Sequence, residues 1–187
     1  DGVLLNWEYA FDIWMTREGY QKVPGYEYEY DIGERYGISK AEGRQSIRLF
    51  NQSAVMGFLP PHRDAIEYVQ RLHREHGYVF HVITSLSSDQ SACELRTRNL
   101  KKLFGKTVFE KFIYLETGAD KDEVLNQYKN SDLWWVEDKI ENAEEGYRKG
   151  LRPIIMEHGH NMHYDKPDFT LVKNWKEIYQ LVTCMTK

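Results

Sequence analysis

Side chains suited to acid–base chemistry, anion binding and metal binding stand at four separate places along the chain. They are Asp1, Thr84 with Ser85, Lys121, and Glu137 with Asp138. A carboxylate can transfer a proton or bind a hard metal ion, a hydroxyl can donate a hydrogen bond to an anion, and an ammonium can neutralise the anion's charge. Phosphoryl transfer requires groups of these types around the reacting phosphorus.

Apolar runs alternate with helical repeats along the last two-thirds of the sequence. The runs at 78–83, 112–115, 133–136 and 151–156 predict short buried strands. Pro153 favours an edge position for the last of them, because proline cannot donate to a strand ladder. Apolar spacing predicts helices at 66–72, 92–103, 124–128, 143–147 and 175–182. Repeated strand–helix units predict an α/β protein with a Rossmann-like, three-layer α/β/α arrangement and a parallel sheet.

The predicted elements place the polar side chains at one edge of that sheet. Asp1, Thr84 and Asp138 each stand at or just after the end of an apolar run, and Lys121 stands at the start of a predicted helix. Parallel strands present their carboxyl ends along one edge, where ligands bind in a crevice. We therefore expect these four side chains to converge.

Residues 8–59 interrupt the alternation with mostly helical patterns. Ala10, Phe11, Trp14 and Met15 have helical spacing, and a loop containing Pro24 follows. This stretch is predicted to be a small helical cap inserted into a core formed by residues 1–7 and 60–187. Such a cap can exclude water from a site and select its substrate.

Composition and charge limit the classes of partner. The 187 residues suffice for one domain with a core and a modest insertion, and the formal net charge of −4 offers no general attraction for nucleic acid or anionic membrane. No apolar run approaches the ~20 residues of a membrane span. The two cysteines, Cys93 and Cys184, fit a reducing, cytoplasmic setting. The basic residues of the predicted helix at 92–103 could contact a phosphate, but the interpretation we favour is that they form its solvated face: Arg96, Arg98, Lys101 and Lys102.

Taken in order, these segments resemble motifs I to IV of the haloacid dehalogenase (HAD) superfamily of phosphotransferases. The segments are Asp1-Gly2-Val3-Leu4, Val82-Ile83-Thr84-Ser85, Lys121, and Trp134-Trp135-Val136-Glu137-Asp138. The resemblance implies a HAD-like core with a C1-type cap. It makes Asp1 the second aspartate of an Asp-x-Asp motif, so that the nucleophilic aspartate lies two residues upstream. Because the first strand of such a sheet is central, we expect about eight to ten further residues before Asp1.

The same resemblance assigns a role to each side chain. Asp1 is the general acid and base, and its backbone carbonyl binds Mg²⁺ together with the carboxylate of Asp138. Thr84 and Ser85 donate hydrogen bonds to phosphoryl oxygens, and Lys121 neutralises charge. Glu137 stands where the family usually has aspartate, and it is expected to orient Lys121 or a metal-bound water.

A narrower resemblance is to the 5′(3′)-deoxyribonucleotidases. It rests on Asp1-Gly2-Val3-Leu4 with Trp7, Phe58-Leu59-Pro60-Pro61-His62-Arg63-Asp64-Ala65, Thr117-Gly118-Ala119-Asp120-Lys121, Val136-Glu137-Asp138-Lys139 and His160-Asn161. It implies a Mg²⁺-dependent phosphatase acting on (deoxy)nucleoside monophosphates through an aspartyl-phosphate. Trp7 would then contact the nucleobase, or else pack in the cap core, and Arg48 would line the substrate side or remain solvated.

Several alternatives stay open on the sequence. The substrate could be another small phosphomonoester or a nucleic-acid 3′-phosphate end, and the chain could be a non-catalytic binding protein with the same fold. We expect a small-molecule phosphomonoester as partner and neither membrane nor nucleic acid, while a homodimer is compatible with the sequence. His158, His160 and His163 are interpreted as loop-anchoring residues in preference to a zinc site.

Overall fold

Helices and parallel strands alternate from residue 65 onward in the computed structural model, which describes residues 1–164 and 169–184. The helices are α1 (Trp7–Arg17), α2 (Ile32–Tyr36), α3 (Lys40–Asn51), α4 (Ala65–His76), α5 (Gln90–Phe104), α6 (Asp122–Leu125), α7 (Ile140–Arg148) and α8 (Trp175–Cys184). The strands are β1 (Phe80–Ser85), β2 (Phe109–Leu115), β3 (Trp134–Glu137), β4 (Arg152–Met156) and β5 (Thr170–Val172). The predicted α/β class is confirmed.

The strands form two separate parallel sheets within the described part of the chain. One sheet pairs β1 with β2, and the other has the order β3-β4-β5. The prediction of parallel strands is confirmed. The four predicted strands correspond to β1 to β4 with shifts of a few residues, whereas β5, which has only three residues, was not predicted.

The edge position predicted from Pro153 is wrong, because β4 lies between β3 and β5. Pro153 pairs in register with Trp135 on the β3 side. On the other side the ladder with β5 starts one residue later, at Ile154. Pro153 therefore occupies the start of the strand, where β5 does not reach, and its missing N–H interrupts no bond on that side.

Local sequence explains where the helices begin and end. α3 begins with a capping box, in which the Ser39 hydroxyl accepts from the N–H of Glu42 and the Glu42 carboxylate accepts from the N–H of Ser39. α4 ends at Gly77, which has a left-handed conformation with φ of +71°. α5 begins after Asp89, whose carboxylate accepts from the N–H of Ala92.

Residues 3–6 are attached to the core by backbone contacts. The carbonyl of Leu4 accepts from the N–H of His62 at 2.8 Å, and the N–H of Asn6 donates to the carbonyl of Pro60 at 2.9 Å. The indole N–H of Trp175 in α8 donates to the carbonyl of Val3 at 2.8 Å. These bonds fix the chain that follows Asp1.

The stretch 8–59 is mostly helical, as expected, and has an aromatic core. Phe11 is buried and stacks on Trp7 with ring centroids 4.5 Å apart, while Phe50 meets Phe11 edge to face at 5.2 Å. The cap boundaries at residues 8 and 59 stay a prediction. Across residues 1–164 and 169–184, no helix combines the length and apolar character required to cross a membrane.

Candidate active site

Six of the eight predicted site residues line one cavity of about 500 Å³ between β1 and β3. The side chains of interest on its wall are Asp1, Thr84, Ser85, Lys121, Glu137 and Asp138. Thr84 and Ser85 end β1, Asp138 directly follows β3, and Lys121 immediately precedes α6. The carboxyl ends of two strands that do not share a ladder are thus brought to one place.

Gly2 lets the start of the chain approach Asp138 closely. A methyl group at Gly2 would lie 2.3 Å from Oδ2 of Asp138, and the φ of Gly2 is +69°. Both the contact and the left-handed backbone exclude a larger side chain. The Asp-Gly pair therefore places the backbone of the first motif against the carboxylate of the fourth.

Lys121 forms an ion pair with Glu137 across the cavity wall. Nζ of Lys121 donates to Oε1 of Glu137, and only 3% of Glu137 is exposed. Nζ also lies 5.3 Å from the centroid of the Trp135 ring. Glu137 thus holds the ammonium in place, which is the orienting contact expected for it.

The end of β1 is connected to the loop that carries Lys121. The Ser85 hydroxyl donates to the carbonyl of Ala119 at 2.7 Å, and the Thr117 hydroxyl donates to the carbonyl of Leu86 at 2.6 Å. Thr84 is buried at 7% exposure. The hydroxyl of Ser85 is therefore hydrogen-bonded to the backbone of the loop, and Thr84 lines the cavity beside it.

Arg96 is a site residue that the sequence interpretation missed. The interpretation of Arg96 as part of the solvated face of its helix is wrong, because Arg96 is 1% exposed and its guanidinium binds the carboxylate of Asp1. Burial lowers the pKa of Arg96 to about 10, so it keeps its charge at neutral pH. The spacing from Ala92 through Arg96 to Leu100, on one face of α5, could have identified it.

A loop after β4 holds the first and fourth motifs together. The ring N–H of His158 donates to the carbonyl of Gly2 at 2.7 Å, and that of His160 donates to the carbonyl of Asp138 at 3.1 Å. The Asn161 amide donates to the carbonyls of Asp138 and Met156 at 2.8 and 2.9 Å. His158 and His160 therefore anchor the loop through backbone carbonyls.

His62 lies beneath this loop without a polar partner for its ring. Its imidazole is 6% exposed and stacks on His158 with centroids 5.0 Å apart, and neither ring nitrogen has a hydrogen-bond partner in the described structure. Burial lowers the pKa of His62 to about 3, and the positive charges of His158 and Arg63 add to this effect. His62 is therefore neutral at pH 7.

Two of the predicted substrate contacts lie away from the cavity. Trp7 packs on Phe11, and its indole N–H donates to Asn51 at 2.8 Å. Arg48 is exposed near the end of α3. From the stretch 8–59 it is instead Tyr30 that reaches the cavity wall, 5.0 Å from the ring of His160. The sequence has several tyrosines close to Tyr30, and nothing in their spacing distinguishes Tyr30 from the others.

Of the two carboxylates closest to the expected metal site, only that of Asp138 is free of a cationic side chain in the described part of the chain and could bind a hard divalent cation. The carboxylate of Asp138 lies against the backbone of Gly2, whereas the carboxylate of Asp1 is taken by Arg96. No group of three histidine, cysteine, aspartate or glutamate side chains is suitably placed to hold a metal ion anywhere in residues 1–164 and 169–184. Mg²⁺ uses one or two carboxylates together with waters and substrate phosphate, so a site at Asp138 fits this ion better than zinc.

Comparison with known proteins identifies the fold. No protein-family model and no curated protein matches the sequence. A HAD-superfamily hydrolase from Ehrlichia chaffeensis has a similar structure, with a TM-score of 0.55 and 13% identity over 100% of this chain and 92% of that one. A haloacid dehalogenase-like hydrolase from Streptococcus pneumoniae has a TM-score of 0.64 and 14% identity over 97% and 94% of the two chains. The chain thus has the α/β fold of HAD-superfamily hydrolases.

Proposed function

We propose that the protein is a Mg²⁺-dependent phosphomonoesterase of the HAD type that dephosphorylates (deoxy)nucleoside monophosphates. The observation that carries the proposal is the convergence of Asp1, Thr84, Lys121 and Asp138 on one cavity wall. These residues come from four separate segments, and each matches a motif of the same family. The fold alone would not require that particular set of side chains at that place.

The proposed reaction uses a nucleophilic aspartate two residues before Asp1. Its carboxylate attacks phosphorus, the phosphorus–ester bond breaks, and Asp1 gives a proton to the departing alkoxide. Water then attacks the aspartyl-phosphate, Asp1 takes back a proton, and phosphate leaves. The guanidinium of Arg96 is paired with the carboxylate of Asp1 and thereby holds the group that transfers the proton in one position.

The remaining residues bind and neutralise the phosphoryl group. Thr84 donates a hydrogen bond to a phosphoryl oxygen, and the ammonium of Lys121, held by Glu137, offsets the negative charge. Asp138 would hold Mg²⁺ with the backbone carbonyl of Asp1 and with water. When bound, the ion would stabilise charge on the phosphoryl oxygens.

The nucleotide preference rests on the sequence motifs. The deoxyribonucleotidase-like segments run through most of the chain, and they support a nucleoside monophosphate as substrate. Tyr30 offers an aromatic ring at the cavity wall, and we propose that it contacts the substrate in place of Trp7. A different small phosphomonoester is the second candidate. Arg48, the other predicted substrate contact, is exposed and does not line the cavity, so it offers no means of recognising a nucleobase.

Phosphate release tests both the reaction and the substrate class. The protein is incubated with deoxyribonucleoside 5′- and 3′-monophosphates, ribonucleotides, sugar phosphates and a 3′-phosphorylated oligonucleotide, each with Mg²⁺ and with EDTA. We expect turnover that requires Mg²⁺ and is fastest on the deoxynucleotides. Equal activity in EDTA would contradict the metal assignment. Binding of nucleotide without turnover on any substrate would favour the non-catalytic alternative.

A further inference from the structure

A groove of about 840 Å³ lies between the exposed side of α5 and β2, and it shares no lining residue with the active-site cavity. Four cationic side chains line it, from the second half of α5 and the residues just after it: Arg98, Lys101, Lys102 and Lys106. Within residues 1–164 and 169–184 none of these four forms an ion pair, whereas the exposed Arg71, Arg148 and Arg152 each pair with a carboxylate. The groove is therefore a basic surface on a protein whose net charge is −4.

Local helix energetics do not account for these charges. Arg98 lies three and four residues before Lys101 and Lys102, so their like charges meet on one face of α5 and disfavour the helix. The helix dipole attracts the two lysines of the last turn, but this effect does not extend to Arg98. Glu94 lies four residues before Arg98, yet its carboxylate accepts from the Gln90 amide at 2.9 Å and not from the guanidinium. An anion in the groove would offset the repulsion.

Aromatic contacts order the wall of the groove on the β2 side. Nζ of Lys101 lies 5.5 Å from the centroid of the Phe112 ring, and that ring stacks on Tyr114 with centroids 6.4 Å apart. The hydroxyls of Tyr114 and Thr97 are hydrogen-bonded at 2.7 Å. Phe112 and Tyr114 thus share the face of β2 that turns toward α5, as their spacing of two residues requires. The ammonium of Lys101 is held beside this strand before any partner binds.

The strand β2 also has an open outer edge. In the part of the chain that the structure describes, β2 bonds only to β1, in a ladder that is regular from Lys111 to Leu115. Such an edge presents alternate N–H and C=O groups that can pair with an added strand. Every second side chain of that strand would lie on the α5 face, about 5 Å beyond Phe112 and Tyr114. Side chains in that position can reach the cations of the groove.

We propose that an acidic segment of a partner protein docks here as an extended strand, which adds to the outer edge of β2 and places alternate carboxylates among Arg98, Lys101 and Lys102. The backbone bonds give affinity, and the charges select an acidic sequence. A single-stranded nucleic acid fits this surface less well, because Phe112 and Tyr114 are half-buried and offer no open face on which bases could stack.

Titration with short labelled peptides, followed by fluorescence anisotropy, tests the proposal on the intact protein. The probe has about seven residues that alternate glutamate and threonine, and the control peptide alternates glutamate and proline, which keeps the charge but removes N–H donors. Arg98→Gln/Lys102→Gln should weaken binding of the probe at least about tenfold. Lys40→Gln/Arg44→Gln removes one lysine and one arginine at the same spacing on exposed positions of α3, and it should bind like the parent.

Saturating probe should also slow hydrogen exchange of the outward-pointing amides in residues 111–115, because an added strand bonds to them. Four outcomes would overturn the proposal. They are no binding of the probe by the parent, equal weakening by both double variants, a glutamate–proline peptide that binds as tightly as the probe, and a single-stranded DNA of equal charge that binds more tightly. None of these readings involves turnover, so the docking surface and the proposed phosphatase activity are tested separately.

Discussion

The ion pair of Lys121 with Glu137 is the most direct link between residue type and proposed chemistry. Glu137 is buried, and its partner is 11% exposed at the side chain. A buried carboxylate is stabilised only if a cation stays beside it, so each residue restricts the position of the other. This restriction gives the ammonium a fixed location in the cavity.

Replacing Lys121 with methionine should lower kcat by about 10³, because a fixed charge aimed at the transition state contributes on this scale. Steady-state phosphate release measures the effect. Lys102→Met is the control, since Lys102 is exposed on α5, and it should leave kcat unchanged. A Lys121→Met protein with the parent's turnover would contradict the assigned role.

The close approach of Gly2 to Asp138 leads to a second prediction about a single residue. Gly2→Ala should reduce the free energy of unfolding by more than Gly19→Ala does, because both glycines have positive φ but only Gly2 has a close neighbour, Asp138. Overpacking should add about 1–3 kcal/mol to the loss from backbone strain. Urea unfolding of both variants measures the difference. Equal losses would show that Asp138 moves aside freely.

Residues 157–164, which follow β4, act as an element that positions two motifs. His158 binds the carbonyl of Gly2, while Asn161 binds that of Asp138. Asn161 is 3% exposed, and its side-chain oxygen also accepts from the N–H of His158 at 2.8 Å. A single amide side chain therefore closes the loop and fixes the backbone beside the proposed metal site.

Asn161→Ala should weaken Mg²⁺ binding about 10- to 100-fold, the usual effect of removing a group that orients a metal ligand. Calorimetric titration with Mg²⁺ measures it without any turnover. Met162→Ala in the same loop is the control, because Met162 is 44% exposed. If both variants bound Mg²⁺ like the parent, the loop would not position the metal ligand.

At the scale of the whole molecule, His62 couples stability to pH. The pKa of His62 is lowered from 6.5 to about 3 in the folded protein, so the unfolded chain binds a proton that the folded protein rejects. Stability is therefore complete above pH 6.5 and falls as the pH decreases toward 3. The loss approaches about 1.4 kcal/mol per pH unit within that window.

His62→Leu should remove this contribution. The free energy of unfolding, measured in urea at pH 7.5 and at pH 5, should change less in the variant than in the parent. His76→Gln should keep the parent's dependence, because His76 is exposed at the end of α4. A parent and a His62→Leu variant with identical pH dependence would show that His62 is already protonated in the folded protein.

Local patterns predicted most elements because they depend on neighbouring residues. The spacing of Ile66, Val69 and Leu72 predicted α4, and the apolar run after it predicted β1. Pro153 misled the prediction because the sequence does not show how far a neighbouring strand extends. The three residues of β5 are too few to form a pattern.

By itself, the sequence determined which residue types follow which strands, and therefore that Asp1, Thr84, Lys121 and Asp138 should share one edge. Only the tertiary structure decided their partners. It placed Arg96 on Asp1 and Glu137 on Lys121, and it brought Tyr30 to the cavity in place of Trp7. The physical reason is that periodicity specifies the face on which a side chain lies, whereas contacts between distant segments depend on how those faces pack.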